Sequence, residues 1–143
     1  MDKYKLPYFY TWDEINKVDL HLWVTTDTED YKKFKNIKGN TCKFVTEENQ
    51  TIHGETYIFV RKKWTKEEGA LVYINVEDSL RHTSFTLVNV VSHEAVHVAD
   101  SFFRKVNAVP DIAKNNENYA MLVGWAAEQI HKTITQDYAR YMR

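Results

Sequence analysis

Three residue types are scarce in this 143-residue chain, which has four glycines, two prolines and one cysteine. A series of hairpins joined by tight turns needs more glycine, and a lone thiol, Cys42, forms no intrachain disulfide. All-β and disulfide-stapled scaffolds are set aside. Charge of one sign is missing too. With 19 Lys and Arg against 20 Asp and Glu, the formal charge is −1, which disfavours a polycationic nucleic-acid binder and an acidic tail protein. At 43% apolar residues the chain has enough to bury, so disorder is disfavoured as well. No run approaches the roughly 18 apolar residues of a membrane span, and residues 1–7 lack the apolar stretch of a signal peptide. The expectation is a soluble cytoplasmic protein with one domain over residues 1–143, and with neither nucleic acid nor membrane as partner. A chain of this length buries about 70% of its unfolded surface, so a metal is not needed as a staple.

What is present is patterned in two halves. In the first, Leu20, Leu22 and Val24 alternate with His21, Trp23 and Thr25, the period-2 signature of a strand, and residues 27–37 read as a short helix. Further strands are expected over 42–46, 55–61 and 70–76, giving a small, mostly antiparallel sheet. Arg61-Lys62-Lys63-Trp64-Thr65-Lys66 mixes base and aromatic, but Glu67 and Glu68 follow at once, so it reads as a solvated turn. In the second half, residues 84–105 contain neither proline nor glycine, and 87–99 are apolar nearly all round, as in a buried helix. Pro110 marks a connection, and a second long helix follows over 115–142. The fold class is therefore α+β.

The chemistry lies in His93-Glu94-Ala95-Val96-His97. Two histidines four apart on a helix share one face, one turn apart, and their imidazoles can converge on one ion. This is the HExxH arrangement of zinc hydrolases, with the intervening Glu as general base. A random ordering of the same residues would produce it about 0.02 times, so coincidence is a weak account. A catalytic zinc takes three protein ligands and keeps a fourth position open. Glu117, twenty residues after His97, lies in the first turn of the second helix and is the candidate third ligand. Asp100, three residues after His97, is open to three readings: an acceptor for a ligand imidazole, an alternative ligand, or a surface acid. Gly124 shares a helix face with Glu117 and is expected to let the two helices approach closely. Glu128 and His131 lie near Glu117 on the helical wheel. Tyr73, Tyr119, His131 and Tyr138 are candidates for the second donor that a developing oxyanion needs.

His93-Glu94-x-x-His97 followed by Glu117-Asn118-Tyr119-Ala120 resembles the gluzincin, or thermolysin-like, branch of zinc metallopeptidases. The likeness spans about residues 70–128. It implies a zincin-like fold, with a strand-rich half, an edge strand beside the HExxH helix and a second long helix. It further implies Zn2+ held by His93, His97 and Glu117, Glu94 as general base, and hydrolysis of a peptide or protein substrate. The strand at 70–76 is the expected edge along which such a substrate would add. The compact size and the run from Glu117 to Gly124 are similar to short HExxH proteins encoded by tailed phages, which implies host cytoplasm or virion as location. The rival expectation keeps the zinc and loses the catalysis, leaving a structural or interaction module of a phage particle.

Overall fold

The computed structural model describes residues 1–44, 52–81 and 84–141. Five strands form one sheet in the order β1-β2-β5-β4-β3, with β1 Asp2–Lys5, β2 Leu20–Thr25, β3 Phe34–Lys35, β4 Gly54–Lys62 and β5 Glu68–Ile74. β2 and β5 run parallel and the other three neighbouring pairs antiparallel, so the sheet is mixed. Among the described residues four α-helices accompany it: α1 Asp13–Asn16, α2 Val76–Arg81, α3 Ser84–Lys105 and α4 Asn116–Tyr141. The class is α+β, as the periodicities indicate.

The alternation in β2 separates two cores. Leu20, Leu22 and Val24 join Ala70, Val72 and Ile74 of β5 against Val91, Ala95, Val98 and Phe102 of α3 and Leu122, Ala126 and Ile130 of α4. On the opposite face Trp23, Leu71 and Tyr73 pack with Tyr31, Phe34, Cys42 and Val60. All six residues of β2 are buried, because side chains cover both faces of the sheet. Gly69 sits where β5 lies against β2. A Cβ there would fall 1.8 Å from the His21 carbonyl oxygen, so the parallel pairing at the centre of the sheet requires glycine.

Several sequence expectations need correction. Residues 27–37 are not one helix. Asp27 accepts a hydrogen bond from the Glu29 amide and caps a 3-10 helix over Thr28–Lys33, after which the chain extends so that Phe34 enters the second core. Over 42–46, residues 42–44 form no strand and 45–46 lie outside the described residues. Thr41 makes a single bridge to Lys35, and the Cys42 amide donates to the Phe34 carbonyl at 2.9 Å. β1 and α2 have no counterpart among the expected elements. β1 is short and half polar, and α2 begins at Val76, where a strand had been expected to end.

The expected edge strand is also misplaced. β5 is paired on both sides, by β2 and β4, so it cannot accept another strand. β4 lies further out. Its outer side is paired by β3 only at Arg61 and Lys62, and among the described residues no strand covers it from Gly54 to Val60. No helix of the described residues is long and apolar enough to cross a membrane.

Candidate metal and catalytic site

α3 is amphipathic rather than buried all round. Val91, Ala95, Val98, Ala99 and Phe102 face the core, while Val88, Ser92, His93, Val96 and His97 are exposed. A helix packed on one side of a sheet has this form, and the two histidines fall on its open side. Their Nε2 atoms lie 3.1 Å apart, with ring centroids at 4.8 Å and the rings steeply inclined. Two ligands of a tetrahedral zinc at about 2.05 Å would stand about 3.3 Å apart, so the pair is already close to a shared-ion geometry.

Glu94 turns the other way. It is 4% exposed, and its carboxylate accepts a hydrogen bond from the Thr56 hydroxyl of β4. Glycine makes that approach possible. A Cβ on Gly54 would stand 2.9 Å from Val90 Cγ1, 3.2 Å from Glu94 Cγ and 3.2 Å from the Tyr73 carbonyl oxygen. The close approach that glycine permits is therefore that of β4 to α3 at Gly54, and not that of the two helices expected at Gly124. Gly124 faces open space, with nothing within 4 Å of an added Cβ, because α4 packs through Leu122, Ala126 and Ile130.

His93 and Glu94 open into a cleft of about 450 Å³, whose other lining includes Ile52, His53, Gly54 and Asn89. His53 is hydrogen-bonded through Nδ1 to Asp78 of α2. Neither residue was among the sequence candidates. They belong to different elements, and only the turn from β5 into α2 brings Asp78 beside the start of β4. On the opposite face of β4, burial raises the Glu55 carboxyl above its ordinary value; a hydrogen bond with Tyr57 opposes this and the charge of Glu94 adds to it. Burial, reinforced by Glu55, pushes the Tyr57 hydroxyl up to about 12.

The remaining candidates are dispersed. Glu117 is exposed in the first turn of α4, and among the described residues no group of three His, Cys, Asp or Glu stands ready around one ion. Asp100 accepts a hydrogen bond from the Tyr119 hydroxyl at 2.9 Å, which fastens the start of α4 to α3 just beyond His97. Burial and this hydrogen bond to Asp100 push Tyr119 up to about 12. Tyr73 lies in the second core, on the face of the sheet away from α3 and α4, so it cannot serve the cleft. His131 and Glu128 are exposed on α4, and Glu128 pairs with Lys132 at 3.4 Å. The Tyr138 side chain lies outside the described residues. Among the described residues, His53 lines the cleft with His93, whereas Tyr73, Tyr119 and His131 do not.

Comparison with protein-family models, with curated proteins and with solved structures gives no match.

Proposed function

We propose that the chain is a small zincin-like metallopeptidase that hydrolyses peptide bonds. The observation that carries this reading is the convergence of His93 and His97, Nε2 to Nε2 at 3.1 Å, beside a cleft that Glu94 also lines. Neutral imidazole nitrogens and a carboxylate are the donors of a catalytic zinc, and the scarcity of cysteine leaves no thiolate alternative. His93 and His97 would hold the ion, and Glu117, exposed in the first turn of α4 and not gathered with them, would have to turn to it as the third ligand. When bound, zinc supplies Lewis acidity towards the scissile carbonyl and makes water acidic near neutrality.

The chain's own groups supply the rest. Thr56 holds one side of the Glu94 carboxylate, leaving the other free to take a proton from water as its oxygen attacks the carbonyl carbon. The same carboxylate returns that proton to the amine nitrogen as the C–N bond breaks. His53, held by Asp78 at Nδ1, lines the cleft, and in its doubly protonated form it is the candidate donor to the oxygen on which negative charge develops. A substrate strand would add to the outer side of β4 over Gly54–Val60, aligned by main-chain hydrogen bonds.

Glu94→Gln tests the reading. The variant should bind zinc as the parent does and lose cleavage of a pool of denatured proteins by at least about a hundredfold. Zinc binding by the parent with no cleavage of any substrate would favour the structural or interaction module.

A further inference from the structure

A second cavity, of about 350 Å³, lies further along the same helix, between the C-terminal turns of α3 and the far end of β4. Its floor is apolar, formed by Phe59 with the buried Leu20 and Phe102 behind it, and its rim is cationic, with Lys35, Arg61 and Lys105. Lys105 Nζ is 2.9 Å from the Glu68 carboxylate, whereas Lys35 and Arg61 have no carboxylate partner among the described residues. Three cations thus face one acid. Phe59 reaches the cavity through a bulge, where the β4–β5 pairing shifts between Tyr57 and Val60. Its φ of 55° is a backbone conformation that a bulky residue rarely adopts. Such residues persist where their surroundings hold them, and they cluster at ligand sites.

An apolar floor under a cationic rim suits a ligand with a short hydrocarbon stem ending in a carboxylate. A bare phosphate would use the rim and leave the floor empty. Ser101, which lines this cavity, is one helical turn past His97, and Lys105 is two turns past it, about 6 and 12 Å along the axis. An extended peptide covers about 3.3 Å per residue, so the cavity lies two to four residues from the candidate site.

Building on the peptidase reading above, we propose that this cavity is the specificity subsite for a glutamate side chain of the substrate, two to four residues from the bond that is cut. The glutamate methylenes lie on Phe59, and its carboxylate takes charge-assisted hydrogen bonds from Arg61 and Lys35.

The test is a titration of the isotope-labelled full chain, followed by NMR, with N-acetylglutamate amide, N-acetylglutamine amide and N-acetylalanine. Saturable shifts at the amides of Lys35, Phe59, Arg61 and Ser101 are expected with the glutamate compound. The glutamine compound, and the glutamate compound on the Lys35→Gln/Arg61→Gln variant, should bind about tenfold or more weakly, the loss of roughly one charge-assisted bond. Tighter binding of N-acetylalanine overturns the side-chain assignment in favour of a peptide C-terminus. Absence of saturable shifts at these amides overturns the subsite itself. The titration reads no cleavage, so a peptidase failure shows separately, as a peptide library left intact by the parent chain. If the library is cut, glutamate should be enriched two to four residues from the cut and the double variant should lose that enrichment.

Discussion

Two glycine substitutions of identical chemistry should have opposite signs. At Gly54, an added Cβ meets Val90 Cγ1 at 2.9 Å, Glu94 Cγ at 3.2 Å and the Tyr73 carbonyl oxygen at 3.2 Å. Carbon contacts are comfortable at about 3.5–4.0 Å, so α3 has to retreat by roughly half an ångström or more at the turn that carries Glu94. The Tyr73 oxygen belongs to the neighbouring strand and cannot rotate away. Overpacking of this kind costs about 1–3 kcal/mol, so Gly54→Ala should lower the melting temperature by roughly 4 °C for each kcal/mol lost. At Gly124, nothing lies within 4 Å and the backbone is helical, so Ala should stabilise by about 0.5–1 kcal/mol. Urea and thermal unfolding followed by circular dichroism read both. Because Gly54 sets the position of Glu94, its variant should, on the proposed peptidase reading, also lose more cleavage than stability alone explains. A Gly54→Ala variant as stable as the parent, or a Gly124→Ala variant less stable, would refute the reasoning that Gly54 is where α3 meets the sheet.

Two further predictions concern the second core and its rim. The Tyr31 hydroxyl is buried without a hydrogen-bond partner among the described residues, and burial pushes its pKa far up, so Tyr31→Phe should be neutral or stabilising in urea unfolding; a loss above about 1 kcal/mol would mean that the hydroxyl is bonded. Burial raises the Asp30 carboxyl, but hydrogen bonds from Lys33 Nζ at 2.6 Å and Thr25 Oγ1, with the charge of Lys33, outweigh it and hold the pKa below the ordinary value. A depressed folded pKa means that the unfolded chain binds more protons near pH 4, so this contribution is full above the ordinary carboxylate pKa and disappears as pH falls through the folded one. Asp30→Asn should therefore lower the urea midpoint at pH 6 and flatten its decline below pH 4. An unchanged acid limb would refute the assignment.

How legible these features were depended on their range. The alternation in Leu20–Thr25 and the stripes of α3 and α4 are local, and they placed those elements nearly to the residue. The pairing of His93 with His97 is local as well, since an i, i+4 spacing on a helix fixes proximity. The position of β5 was not legible. Its parallel pairing with β2 depends on a long crossover, and an apolar run such as Leu71–Ile74 reads alike at the centre or the edge of a sheet. The cleft wall was hidden for the same reason, because His53, Gly54 and Thr56 reach α3 from about forty residues away in sequence. Gly124 was misjudged because its wheel angle was referred to Glu117, whereas the buried face of α4 is set by Leu122, Ala126 and Ile130.

The most direct test of the central claim is a crystal of the full chain grown with zinc and measured on both sides of the zinc absorption edge. The account predicts one anomalous peak about 2.0–2.2 Å from His93 Nε2, His97 Nε2 and a Glu117 carboxylate oxygen, with Glu94 beside it and not bound to it. A difference map with no peak between the two histidines, or with a peak whose ligands exclude them, would contradict it.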